Sequence, residues 1–111
     1  MSEQIIEERL AAIRAKADKY ATAKATMEQL SEFRKSKLAI LMKEAAVNGH
    51  TSAAAQEREA LASPQYQDFL QGYKAAIEAA EALRWSLQID MAAIEIWRTR
   101  QSTRRAEMTL R

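Results

Sequence analysis

Few residues of this chain can do chemistry, and most of those are cations. There is no Cys, and His50 is the single His. That excludes disulfides, zinc–thiolate sites and Cys nucleophiles, and leaves no His pair for a metal or a catalytic triad. With two Gly in the whole chain, Gly49 and Gly72, there is no Gly-rich phosphate loop. Carboxylates alternate with cations at helical spacings, as in Glu28, Glu32 and Arg34 or Glu78, Glu81 and Arg84. Such patterns make solvated helix faces rather than acid–base pairs. No catalytic residue, metal site or cofactor is expected, and the chain does not read as an enzyme.

The cations gather in two runs. The first is Arg34, Lys35, Lys37 and Lys43, with no acid from Phe33 through Lys43. The second is Arg98, Arg100, Arg104, Arg105 and Arg111, opposed only by Glu107. Four cations within three helical turns are hard to neutralise locally. Repeated around an oligomer, the first run would form a track for a phosphate backbone without sequence readout. The second run has a simpler explanation if the chain folds back on itself. Glu3, Glu7 and Glu8 would then face Arg104 and Arg105, and basic residues near a helix C-terminus suit its dipole. By the same geometry Arg34 and Lys37 would lie near Glu78 and Glu81. Tyr20, Phe33, Tyr66, Tyr73, Trp85 and Trp97 can stack on bases, but their spacing reads as core.

The elements that must carry these residues are helices. No Gly or Pro occurs from Ser2 to Asn48 or from Tyr73 to Arg111, and the one Pro is Pro64. Gly and Pro are the strongest helix breakers. The 111 residues therefore read as one all-α unit, residues 1–111, with helices over 3–48, 52–62 and 64–109. The expected architecture is an antiparallel hairpin of two long helices with a short helical connection. Helices of roughly 45 residues would run about 68 Å. A hairpin of that length encloses little interior, so an oligomer is expected. Ser2, Thr51 or Ser52, and Ser63 are candidate N-caps, with Pro64 at the first helical position and Gly49 as the left-handed stop.

Apolar spacing of four and three gives the first helix a coiled-coil seam through Ile6, Leu10, Ile13, Ala17, Tyr20, Lys24 and Met27, interrupted at Lys24. The last helix has a main stripe of Tyr66, Leu70, Tyr73, Ile77, Ala80, Leu87, Met91 and Ile94, interrupted at Arg84. Gly72 lies inside it. A second stripe, Trp85, Ile89, Ala92 and Ile96, occupies another face. Two apolar faces call for two packing partners, so Trp85, Ile89 and Ile96 are the expected homo-oligomer interface.

The net charge of +2 is mildly basic and compatible with nucleic acid. Met1-Ser2-Glu3-Gln4-Ile5 lacks the basic start and apolar run of a signal peptide. No stretch reaches about 20 apolar residues, so no membrane span is expected. With no Cys, the expected location is cytoplasmic.

Several features taken together resemble a family. Lys37-Leu38-Ala39-Ile40-Leu41-Met42-Lys43 ends the first long helix before Asn48-Gly49. Glu59-Ala60-Leu61-Ala62-Ser63 leads into a long last helix bearing Trp85. This layout is similar to small phage recombination mediators of the UvsY type. The Ala53–Ala60 turn and the Ile96-Trp97-Arg98-Thr99 segment also resemble small phage proteins of no assigned role. The first resemblance implies a helical ring that binds single-stranded DNA and helps load a recombinase onto strands coated by single-strand-binding protein. It would act in the host-cell cytoplasm. It also implies a DNA contact at the basic end of the first helix, where Lys37 and Lys43 fall on matching positions. Leu41 stands where the family has another cation, a gap that Arg34 and Lys35 would fill. The rival expectation is a non-enzymatic interaction module that docks on a host or defence protein through its apolar face.

Overall fold

Hydroxyl side chains start each helix. Ser2 Oγ accepts from Ile5 N–H at 3.3 Å, Ser52 Oγ from Ala55 N–H at 3.1 Å, and Ser63 Oγ from Tyr66 N–H at 3.2 Å. Each bond satisfies a donor that the first helical turn leaves open. In the computed structural model, the helices are α1 (Glu3–Val47), α2 (Ala53–Ala62) and α3 (Pro64–Leu110). The structure describes residues 2–110; Met1 and Arg111, the last cation of the second basic run, lie outside them. Among the described residues the protein is all-helical, with no strand, and no helix is long and apolar enough to cross a membrane.

α1 stops where the sequence predicts. Gly49 takes a φ of 101°, the left-handed conformation that a Cβ disfavours. Gly49 N–H donates to Ala46 C=O at 3.2 Å and His50 N–H to Ala45 C=O at 3.0 Å. These are the paired bonds of a Schellman motif. Ser52, rather than Thr51, caps α2. Ser63 closes α2 as well as opening α3: its N–H and hydroxyl both donate to Ala60 C=O.

Contacts cluster into two units, Thr22–Ala80, and Met1–Ala21 with Glu81–Arg111. The Thr22–Ala80 unit holds the apolar centre, where Leu41, Ala60 and Tyr66 are buried and Leu38, Met42, Phe69 and Leu70 pack against them. The small side chain of Ala60, 1% exposed, lets α2 approach closely. Phe69 joins three aromatic neighbours, with centroids 5.9 Å from Phe33 and 6.3 Å from Tyr66 and from Tyr73.

The unit of Met1–Ala21 and Glu81–Arg111 has a thinner apolar centre. Ile6 is its one buried apolar side chain among the described residues. Ile13, Leu83, Leu87, Ile94 and Trp97 are half-buried. Lys16 lies among them and donates to Asp90 and, at 2.7 Å, to Ser86 Oγ. The side chains of Lys16 and Asp90 are 29% and 33% exposed.

This ion pair explains a departure from the expected seam. Ile6, Ile13, Tyr20 and Met27 are buried or half-buried as predicted, but Leu10, Ala17 and Lys24 are exposed. Lys16, Ala23 and Leu30, three residues after Ile13, Tyr20 and Met27, are half-buried instead, whereas Arg9, three after Ile6, is exposed. Both offsets flank the same seven-residue row. Lys16 can occupy the inner one because Asp90 and Ser86 neutralise and bond it. On α3 the same partner displaces Met91, which is 59% exposed, while Leu83, Asp90 and Trp97 continue the inner row.

Gly72 serves no close approach, since a Cβ built there meets nothing within 4 Å. Gly72→Ala is therefore expected to raise unfolding stability by about 1 kcal/mol, read by urea denaturation. A loss of stability would reveal a neighbour that needs the gap.

Candidate functional site

The first basic run does not gather on one face of α1. At about 100° per residue, Lys43 lies roughly opposite Arg34, with Lys37 beside Arg34 and Lys35 turned toward Lys43. Burial follows that division. Lys37 is half-buried, whereas Lys35 and Lys43 are exposed. Arg34 Nε donates to Tyr66 Oη at 3.2 Å. That bond, with the electrostatic effect of the same phenol, raises the Arg34 pKa above its ordinary value. One of its five donors is turned inward, and the rest of this exposed guanidinium faces solvent.

None of Arg34, Lys35, Lys37 or Lys43 makes an ion pair among the described residues. The expected partners are held elsewhere. Glu78 meets Lys74 at 3.9 Å, and Glu81 meets Arg84 at 2.9 Å. Those local contacts, four and three residues apart on one helix, cost less side-chain ordering than a reach to α1. Lys43 lines a surface groove with Ile40, Val47, Asn48 and one acid, Glu44.

The proposed interface residues stand outward together. Trp85, Ile89 and Ile96 are 55%, 67% and 54% exposed, and Ala92 between them is exposed too. Spacings of four, three and four place all four on one face of α3. Arg84 lies over the Trp85 ring at 4.9 Å from its centroid. Its hydrogen bond to Glu81 holds the guanidinium there and raises its pKa. Trp85 and Phe33, at 55% and 43% exposure, thus depart from the expectation that the aromatic residues are core. Tyr66 is buried, and Tyr20, Tyr73 and Trp97 are half-buried.

The second basic run departs from its expected neutralisation. Arg98 pairs with Glu95 at 2.9 Å on its own helix. Arg100, Arg104 and Arg105 are exposed and make no ion pair among the described residues, so Glu3, Glu7 and Glu8 do not engage them. Trp97 accompanies this run, with its indole Nε1 buried and without a hydrogen-bond partner. The seven-residue row of Leu83, Asp90 and Trp97 was the available signal for that placement, but the polar Asp90 concealed it. Among the described residues no group of three His, Cys, Asp or Glu could hold a metal ion.

Compared with protein-family models, curated proteins and solved structures, the chain matches none.

Tyr66 separates packing from polar contact. Tyr66→Ala is expected to cost about 3–5 kcal/mol in urea denaturation, in line with other buried aromatic truncations. Tyr66→Phe removes only the bond from Arg34 and should leave the unfolding midpoint close to wild type. Equal destabilisation by both variants would place the energy in the hydroxyl instead.

Proposed function

We propose that the protein is a non-enzymatic, homo-oligomeric accessory factor that binds single-stranded DNA without sequence preference. The observation that carries this reading is the set of cations without acidic partners on α1, with Lys35 exposed and Lys43 on an open groove. Unpaired accessible cations release counterions when they meet a phosphate backbone, and they carry no base readout. Assistance in recombinase loading, in the cytoplasm of a phage-infected host, is the role that the resemblance to UvsY-type mediators implies. Contacts of α1 with α3, such as Lys16 with Asp90 in one unit and Arg34 with Tyr66 in the other, support an antiparallel hairpin as the protomer.

Oligomerisation through Trp85, Ile89 and Ile96 would multiply weak phosphate contacts into useful avidity. The same exposed face supports the second reading, an interaction module that docks on a different protein. In that case binding would depend on Trp85 and respond little to salt.

Fluorescence anisotropy of a labelled, mixed-sequence single strand tests the DNA reading, with duplex as control. Lys35→Ala with Lys43→Ala is expected to weaken binding and to reduce the log–log salt slope by about 0.7 for each phosphate left unneutralised. Wild-type protein that leaves the strand free even at low salt would sink the reading. Sedimentation velocity tests the face separately. Ile89→Asp should convert the oligomer to a smaller species with helicity retained, and a wild-type monomer at micromolar concentration would remove the self-association proposal.

A further inference from the structure

Arg98 pairs with Glu95, but Arg100, Arg104 and Arg105 near the end of α3 lack both explanations that would make them structural. Acids of α1 do not pair with them. The helix dipole does not account for them either. α3 continues to Leu110 and its last turn holds no basic residue, while the dipole acts mainly within that turn. Arg98, Arg100, Arg104 and Arg105 instead crowd one stretch of helix in which no acid occurs from Ile96 through Ala106. Like charges at this spacing repel one another, so the cluster works against the helix unless an anion joins it.

Geometry gives the cluster a binding surface. Arg98 and Arg105, seven residues apart, share one side of α3. Arg100 and Arg104, four apart, share the next side. Trp97 and Gln101 lie between these rows. Trp97, Arg98, Gln101 and Arg105 line one surface groove, and Ala93, Ile96, Trp97 and Arg100 line another. Apart from the Gln101 carbonyl, the polar side-chain groups of both grooves are donors. Guanidinium forks match phosphate oxygens two at a time, which an ammonium does not.

We propose that the Trp97–Arg105 surface of α3 is a second contact for the phosphate backbone of a single-stranded nucleic acid. The proposal rests on the DNA-binding reading above and adds a site to it. A lipid surface is the alternative occupant that the test separates: from Arg98 through Glu107 the only apolar residue is Ala106, while exposed Ile96 and Met108 flank that run.

The test uses full-length protein and a fluorescein-labelled, mixed-sequence single strand between about 50 and 200 mM salt, a range over which phosphate contacts register clearly. Arg100→Gln with Arg104→Gln is expected to weaken binding about tenfold and to lower the salt slope by about 1.4, as two phosphates go unneutralised. Arg98→Gln with Arg105→Gln should act in the same direction. Circular dichroism and sedimentation should match wild type for both. If wild-type protein binds and both double variants bind equally well, the α3 site is overturned while the DNA reading stands on Lys35 and Lys43. Absence of wild-type binding overturns both. Wild-type binding to phosphatidylserine vesicles that the variants lose, with single-strand binding unchanged, would assign the cluster to a membrane surface and overturn the proposal.

Discussion

Tyr66 is the residue on which the middle of the protein depends. Its backbone N–H is held by Ser63 at the start of α3, and its ring is buried with Leu41 and Ala60. Its hydroxyl accepts from Arg34. One residue therefore joins the entry to α3, the meeting of three helices and the orientation of a cation. A buried aromatic ring contributes more apolar area than any other kind of neighbour available here. Around it stand the small Ala60, half-buried aliphatics and the Phe69 ring.

What was legible in the sequence was local. Ser52, Ser63-Pro64 and Gly49 announce helix ends because a cap is decided by residues within one turn of it. The outward face of Trp85, Ile89 and Ile96 was legible for a similar reason, since a stripe on one helix needs no knowledge of another. The seam of α1 was not. Ala17 is a better apolar candidate than Lys16, and only a contact between residues 74 positions apart reverses the choice. Nothing within α1 records that Asp90 and Ser86 will receive the ammonium.

The basic runs illustrate the same division. Composition identifies them, but a charge run says nothing about direction. Arg34 and Lys35 are adjacent in sequence, yet one meets a phenol and the other faces water. For the arginines of α3, proximity to acids was inferred from an idealised alignment of helix ends. Ion pairs within one helix are entropically cheaper, and Glu95 with Arg98 and Glu81 with Arg84 take that course. The cations left over after such local pairing are the ones with charge to offer a partner.

The division of contacts also bears on the order in which the chain assembles. Thr22–Ala80 is continuous in sequence, and its apolar centre brings together residues near the connection between α1 and α3. The other unit unites the two chain ends, Met1–Ala21 with Glu81–Arg111. Closing a long segment before anything inside it is ordered costs more chain entropy than closing a short one. Contacts of low sequence separation accordingly form faster. On that argument the middle unit, whose contacts close the shorter segments, is expected to order before the unit that joins the two chain ends.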